Sequence, residues 1–122
     1  MALKKILIVD DSAAETANLK AIVTESGWLA TTASSGKEAV DKARIDKPDL
    51  ILMDIIMPEM DGYEACRTLQ ADPATKSIPV VIVSTKSQKA DLMWAKMQGA
   101  RTLVGKPYTK GDLVQAIQSA LA

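Results

Sequence analysis

Residues 49–62 read Asp49-Leu50-Ile51-Leu52-Met53-Asp54-Ile55-Ile56-Met57-Pro58-Glu59-Met60-Asp61-Gly62. An unbroken apolar run of strand length predicts a strand buried on both faces, as in a parallel sheet. Asp54 closes that run, and a turn rich in Pro and Gly follows it. The carboxylate therefore stands at the carboxyl end of a buried strand, the edge where α/β sheets place their chemistry. The start of the chain repeats the layout, because Ile6-Leu7-Ile8-Val9 runs directly into Asp10-Asp11-Ser12. Two strands thus bring three carboxylates to one edge.

Carboxylates so arranged repel: two unit charges ~4 Å apart cost about 4 kcal/mol at an effective dielectric near 20. A cation is needed among them. The chain has no His and one Cys, so the ligand set is oxygen, which favours magnesium over zinc or copper. Val104-Gly105-Lys106-Pro107 places a lysine after another short apolar segment. Ser84 likewise follows Pro79-Val80-Val81-Ile82-Val83.

At 122 residues the chain has the length of a single domain, expected to span 1–122 with no output domain. Lys plus Arg and Asp plus Glu are both 15, so no basic stripe dominates, which argues against nucleic-acid binding. No apolar stretch approaches a membrane span, and the start is too short for a signal-peptide core. A cytoplasmic protein without membrane insertion is expected. The lone Cys66 forms no intrachain disulfide, which suits a reducing compartment, and reads as a structural helix residue. With no Phe and two each of Trp and Tyr, the core must be aliphatic.

Apolar runs alternate with amphipathic stretches throughout, which predicts parallel strands joined by right-handed helical crossovers. The first helix opens on the capping-box pattern Ser12-Ala13-Ala14-Glu15, buries Leu19, Ile22 and Val23, and stops at Gly27. Trp28 to Ala33 is the weakest strand and belongs near an edge. Ser35-Gly36-Lys37-Glu38 opens a second helix with Ala39, Val40 and Ala43 inward, closing before Pro48. Helices are expected over Gly62 to Ala71 and Gln88 to Gln98, with a short fifth strand at Thr102-Leu103-Val104. The last helix starts at Thr109 and buries Leu113, Ala116, Ile117 and Ala120. The expected architecture is α/β, a flavodoxin-like doubly wound five-stranded parallel sheet of order 2-1-3-4-5 with helices on both faces.

Val9-Asp10-Asp11-Ser12, Leu52-Met53-Asp54-Ile55-Ile56-Met57-Pro58 with Asp61-Gly62, Val83-Ser84 and Gly105-Lys106-Pro107 together resemble the CheY-like receiver domain of two-component response regulators. The resemblance runs over essentially the whole chain, in order. It implies phosphorylation of Asp54 by a sensor histidine kinase, CheA-like in chemotaxis-type systems. It also implies Mg2+ ligation by Asp11, Asp54 and the backbone carbonyl of Ile56, with Asp10 acting through water, and a cis Lys106-Pro107 bond. Lys106 would supply a second positive charge to the phosphoryl group, and the Ser84 hydroxyl would bond a phosphoryl oxygen. A downstream protein would dock on the face made by the fourth helix, fifth strand and fifth helix of a monomer. No enzyme activity is implied beyond self-phosphorylation from a donor and slow autodephosphorylation.

Each residue alone has a plainer reading. Asp10, Asp11 and Ser12 suit a helix cap, Asp54 a turn, Lys106 a surface charge and Ser84 a strand end. Independent caps, however, need not all fall at the carboxyl ends of neighbouring strands. Two departures from the family pattern stand out. Leu103 occupies the position where receivers commonly carry an inward-turning aromatic, and Thr85 replaces a commonly smaller residue, so a muted conformational change is expected. Ile56 and Lys86 fall where the family tunes the lifetime of the acyl phosphate. The stretch Ile78 to Lys86 with Gln88, Asp91, Trp94 and Gln98-Gly99-Ala100-Arg101 is similar to PilH-type receivers of type IV pilus twitching systems. Trp94 reads either as helix packing or as part of a partner surface. Two other functions compete: an aspartate-nucleophile Mg2+-dependent phosphatase, disfavoured because Ile56 stands where a second acid is needed, and a receiver-like module that works without phosphorylation.

Overall fold

The computed structural model describes residues 3–122. Five strands and five helices alternate: β1 (Lys5–Val9), α1 (Ala13–Glu25), β2 (Leu29–Ala33), α2 (Gly36–Asp46), β3 (Leu50–Asp54), α3 (Gly62–Ala71), β4 (Val80–Ser84), α4 (Lys89–Met97), β5 (Thr102–Gly105) and α5 (Lys110–Leu121). The strands form one parallel sheet of order β2-β1-β3-β4-β5. This is the flavodoxin-like doubly wound arrangement expected from the alternation of apolar and amphipathic segments.

Period-two alternation splits each central strand between two cores. Ile6, Ile8, Leu50, Leu52, Val81 and Val83 face α1 and α5, against Leu19, Ile22, Val23, Leu113 and Ile117. Leu7, Val9, Ile51, Met53, Val80 and Ile82 face the other way, against Ala39, Val40, Ala43, Ala65, Cys66, Leu69 and Ala95 of α2, α3 and α4. Strands covered on both faces have no polar side to present, which is why β1, β3 and β4 read as continuous apolar runs. The edge strand β2 differs: Leu29 is exposed and Ala33 is its one buried residue. Its weak sequence signal follows from that position.

Helix ends follow local chemistry. Gly27 and Gly99 follow the last turns of α1 and α4 with φ of +92° and +100°, conformations open to a residue without Cβ. Lys47 closes α2 in the left-handed region at φ 46°, immediately before Pro48. Ala116 was expected inside and is only half-buried, because α5 lies along the β4–β5 side of the sheet, where Leu113, Ile117 and Ala120 take the inward stripe. Cys66 is fully buried in the aliphatic core, and burial pushes its thiol up to about 11. The structural reading of that residue holds.

The sheet order fixes where chemistry can occur. Strand order reverses between β1 and β3, so their following helices leave toward opposite faces and a crevice opens at their carboxyl ends. Val9 pairs with Met53 in the β1–β3 ladder. The next residue on each strand is an aspartate.

Candidate functional site

Asp10, Asp11 and Asp54 each offer a carboxylate oxygen, and these oxygens lie within 4.8 Å of one another. Their settings differ. Asp10 is buried, Asp54 half-buried and Asp11 exposed. Asp10 Oδ1 accepts the Ser12 N–H at 2.9 Å, while Oδ2 is buried and accepts no hydrogen bond. A buried oxygen without a hydrogen bond is costly, and this one has only the Lys106 ammonium, 3.5 Å away, to offset its charge. Oxygen ligands of this kind suit a hard divalent cation that keeps part of its water shell. The residues therefore fit Mg2+.

Lys106 is the counter-charge. Its Nζ lies 3.4 Å from Asp54 Oδ1 and 3.5 Å from Asp10 Oδ2. The backbone brings it there, because the Lys106 N–H donates to the Ser84 carbonyl at 2.8 Å and continues the β4–β5 ladder one step past Gly105. The Lys106-Pro107 peptide is cis, as the family resemblance implied. One ammonium does not balance the acids. Burial and the Asp10 charge hold the Asp54 carboxyl above its usual range, against the lowering pull of Lys106 and the Ile55 amide. Although burial opposes its charge, the neighbouring Asp54, Asp10 and Glu15 carboxylates raise Lys106 overall.

Ser84 ends β4 one residue beyond Val83, the partner of Asp54 in the β3–β4 ladder. It is buried, and its Oγ accepts the Lys86 N–H at 3.0 Å. It also borders a cavity of about 250 Å³ whose walls include Ile56, Tyr63 and Trp94. Tyr63 and Trp94 meet edge to face at 6.4 Å between centroids, and Trp94 remains about half exposed. Trp94 therefore packs by one edge on Tyr63, as the packing reading expected, and leaves the rest of its ring open to solvent. Leu103 packs half-buried against the core that includes Ala100 and Ile82, and Thr85 is exposed.

The structure therefore brings Asp10, Asp11, Asp54, Lys106 and Ser84 to one crevice, as the strand ends implied. Ile56, 72% exposed, lines the cavity beside Ser84, and as an isoleucine it provides no acid two residues after Asp54. At the rim, Tyr108 and Asn18 escaped the sequence reading and Glu15 was read only as a cap. Tyr108 Oη donates to Glu15 Oε1 at 2.8 Å and accepts from Asn18 Nδ2 at 3.0 Å. Glu15 was expected to complete a capping box with Ser12. Only half of that box forms: the Ser12 hydroxyl accepts the Glu15 N–H at 3.3 Å, but the Ser12 N–H is taken by Asp10.

Residues 6–118 match the response regulator receiver domain family. The chain belongs to that family. This receiver is 44% identical to the protein PilH of Pseudomonas aeruginosa, over 97% of this chain and 98% of PilH. It is 38% identical to the chemotaxis protein CheY of Thermotoga maritima, over 93% and 94% of the two chains. Among solved structures it is similar to the receiver domain of a sensor histidine kinase from Pseudomonas aeruginosa PAO1, with a TM-score of 0.90, 26% identity and 98% of each chain covered. That structure has a magnesium ion coordinated in its active-site cleft. The acidic cluster of this receiver is consistent with the same ion. Receivers serve two-component signalling, and among the described residues no helix is long and apolar enough to cross a membrane.

Proposed function

We propose that this receiver takes a phosphoryl group from a histidine kinase on Asp54 and signals by binding a partner or by draining phosphate. The observation that carries the reading is the convergence of three carboxylates within 4.8 Å and a lysine ammonium 3.4 Å from Asp54. A carboxylate attacks phosphorus effectively when it is positioned and when the charge on the transferring group is neutralised. Asp54 Oδ forms the new P–O bond as the N–P bond of a phosphohistidine breaks, and the electron pair goes to the imidazole nitrogen.

Asp11, Asp54 and the Ile56 carbonyl would hold Mg2+, with Asp10 acting through water. Held there, such an ion would supply positive charge to the phosphoryl oxygens, while the chain's own residues position the acceptor. Asp10 keeps its Oδ1 on the Ser12 amide, which fixes the direction of Oδ2. Lys106, with its Nζ 3.4 Å from Asp54 Oδ1, would meet the phosphoryl group as a point charge. The Ser84 hydroxyl, whose oxygen accepts the Lys86 amide, would donate its own proton to a phosphoryl oxygen. With Leu103 at the position of the usual aromatic, the response of the α4, β5 and α5 face is muted, and Trp94 and Tyr63 border the Ser84 cavity where the change would begin. The similarity to PilH favours a pathway of the type IV pilus or chemotaxis class. The exposed Ile56 side chain offers no proton to a leaving alcohol, so a phosphatase reading gains no support.

Incubation with Mg2+ and acetyl phosphate is expected to add one acid-labile phosphoryl group, read by intact mass. A chain that gains none rejects the proposal. Mg2+ alone is expected to raise the melting temperature, since a ligand of the folded state stabilises by mass action. At a tenfold excess over its dissociation constant the gain is about 1.4 kcal/mol, or roughly 5 °C for a domain of this size. Asp11→Asn is expected to remove most of that shift. An unchanged melting curve at millimolar Mg2+ counts directly against the site.

A further inference from the structure

The rim beside Lys106 is built differently from the acidic centre. A cleft of about 360 Å³ is lined by Glu15, Asn18, Thr85, Lys106, Pro107 and Tyr108. Lys106 lines this cleft and its Nζ lies 3.4 Å from Asp54 Oδ1, so a small molecule held here lies beside the lysine that contacts the phosphorus-accepting oxygen. Glu15 gives this lining a negative charge. Glu15 does not ion-pair with Lys106: its Oε1 is held by the Tyr108 hydroxyl at 2.8 Å, and Asn18 braces that hydroxyl from the next turn of α1. The carboxylate is free for this clasp because Asp10 has taken over the Ser12 amide that a capping box would have assigned to it. A fixed anion thus borders a cleft whose cation is already shared between two other acids.

We propose that Glu15, clasped by Tyr108 and Asn18, is a specificity-determining residue for the phosphoryl donor: it disfavours freely diffusing, highly charged small donors relative to less charged ones. The inference rests on Asp54 as acceptor. A fixed charge raises or lowers the concentration of an ion near it exponentially with the ion's own charge. A dianion is therefore penalised by the square of the factor that penalises a monoanion. A protein donor escapes most of this penalty, because its phosphoryl group is delivered by the docking of a whole surface rather than by diffusion of a bare anion.

Two donors separate the charge effect from every other. Acetyl phosphate is a dianion near neutral pH, and Asp54 Oδ displaces acetate, which leaves with the electron pair of the broken P–O bond. Phosphoramidate is mostly a monoanionic zwitterion, and the same attack breaks its P–N bond, releasing ammonia that already carries its three protons. Glu15→Gln keeps an oxygen for the Tyr108 hydroxyl and removes the charge. Initial rates with acetyl phosphate are expected to rise about threefold and with phosphoramidate about 1.7-fold, the square root of that factor. Both gains are expected to fade as salt shortens the screening length below the width of the cleft.

Glu15→Lys is expected to enlarge the gains to about ninefold and about threefold in the same ratio of logarithms. Equal changes for the two donors, no change, or a fall in either rate overturns the proposal. A melting curve for each variant removes misfolding as a cause, and two folded variants with the parent donor ratio overturn it too. Loss of labelling with both donors in the parent protein is a separate outcome, and it sinks the Asp54 reading instead.

Discussion

Replacing Asp54 with alanine is expected to abolish acetyl-phosphate labelling, with no phosphoryl adduct by intact mass where the parent chain gains one. The loss should be complete because no other carboxylate combines Asp54's position with its surroundings. Asp10 is buried with one oxygen bound to the Ser12 amide, and Asp11 makes no ion pair with Lys106. Labelling that survives the substitution assigns the acceptor elsewhere and removes the proposed function's central residue.

The same position carries a second, opposite expectation for stability. Burial and Asp10 raise the Asp54 carboxyl above its usual value, so the folded state holds that proton more tightly than the unfolded chain does. The associated stability is full below the unfolded value and is lost as pH rises through the raised folded one. Above that raised value the ionised acid is therefore a net cost without Mg2+. Asp54→Asn, which mimics the neutral acid, is expected to melt above the parent in EDTA and to gain less from Mg2+. A variant that melts lower in EDTA shows that Lys106 outweighs burial and Asp10.

Gly62→Ala is expected to be the most damaging small substitution near the site. Gly62 opens α3, and its N–H donates to the Ile55 carbonyl at 2.8 Å. A Cβ there would stand 2.1 Å from the Asp54 carbonyl oxygen and 2.9 Å from both the Asp54 carbonyl carbon and the Ile55 Cα. All of these are backbone atoms, so no rotamer change relieves the clash. Either α3 moves off the sheet or the end of β3 shifts, and either displaces the Asp54 carboxylate. Overpacking of this kind costs about 3 kcal/mol, or roughly 12 °C in melting temperature. The acetyl-phosphate rate should fall with it.

Gly111→Ala is the control. Its Cβ meets nothing closer than Thr109 Oγ1 at 3.8 Å, and replacing a helical glycine there should stabilise by about 0.5 kcal/mol. If Gly62→Ala melts within 2 °C of the parent, close approach at β3 is not what requires the glycine (roughly 0.5 kcal/mol is the limit of that shift).

Much of this molecule was legible before any coordinate. The continuous apolar runs at Ile6–Val9, Leu50–Met53 and Val80–Val83 marked strands buried on both faces, and the carboxylates ending two of them marked the edge where chemistry belongs. Asp10, Asp54, Ser84 and Lys106 were readable because strand ends are local features, and a parallel sheet aligns them whatever its detailed packing. Ala116 was misjudged because helical spacing defines a stripe but not its centre. Where the stripe falls depends on how α5 rests against β4 and β5.

The sequence by itself determined the alternating architecture, the aliphatic core and the identity of the acids at the sheet edge, because periodicity and residue chemistry are properties of neighbours in the chain. Tertiary structure alone decided the rim. Glu15 and Tyr108 are separated by 93 residues, and Ser12-Ala13-Ala14-Glu15 spelled a capping box that Asp10 then pre-empted. Both candidate bonds satisfy the same amide locally. Only the crevice, where Asp10 must be held and Tyr108 lies across from α1, selects between them.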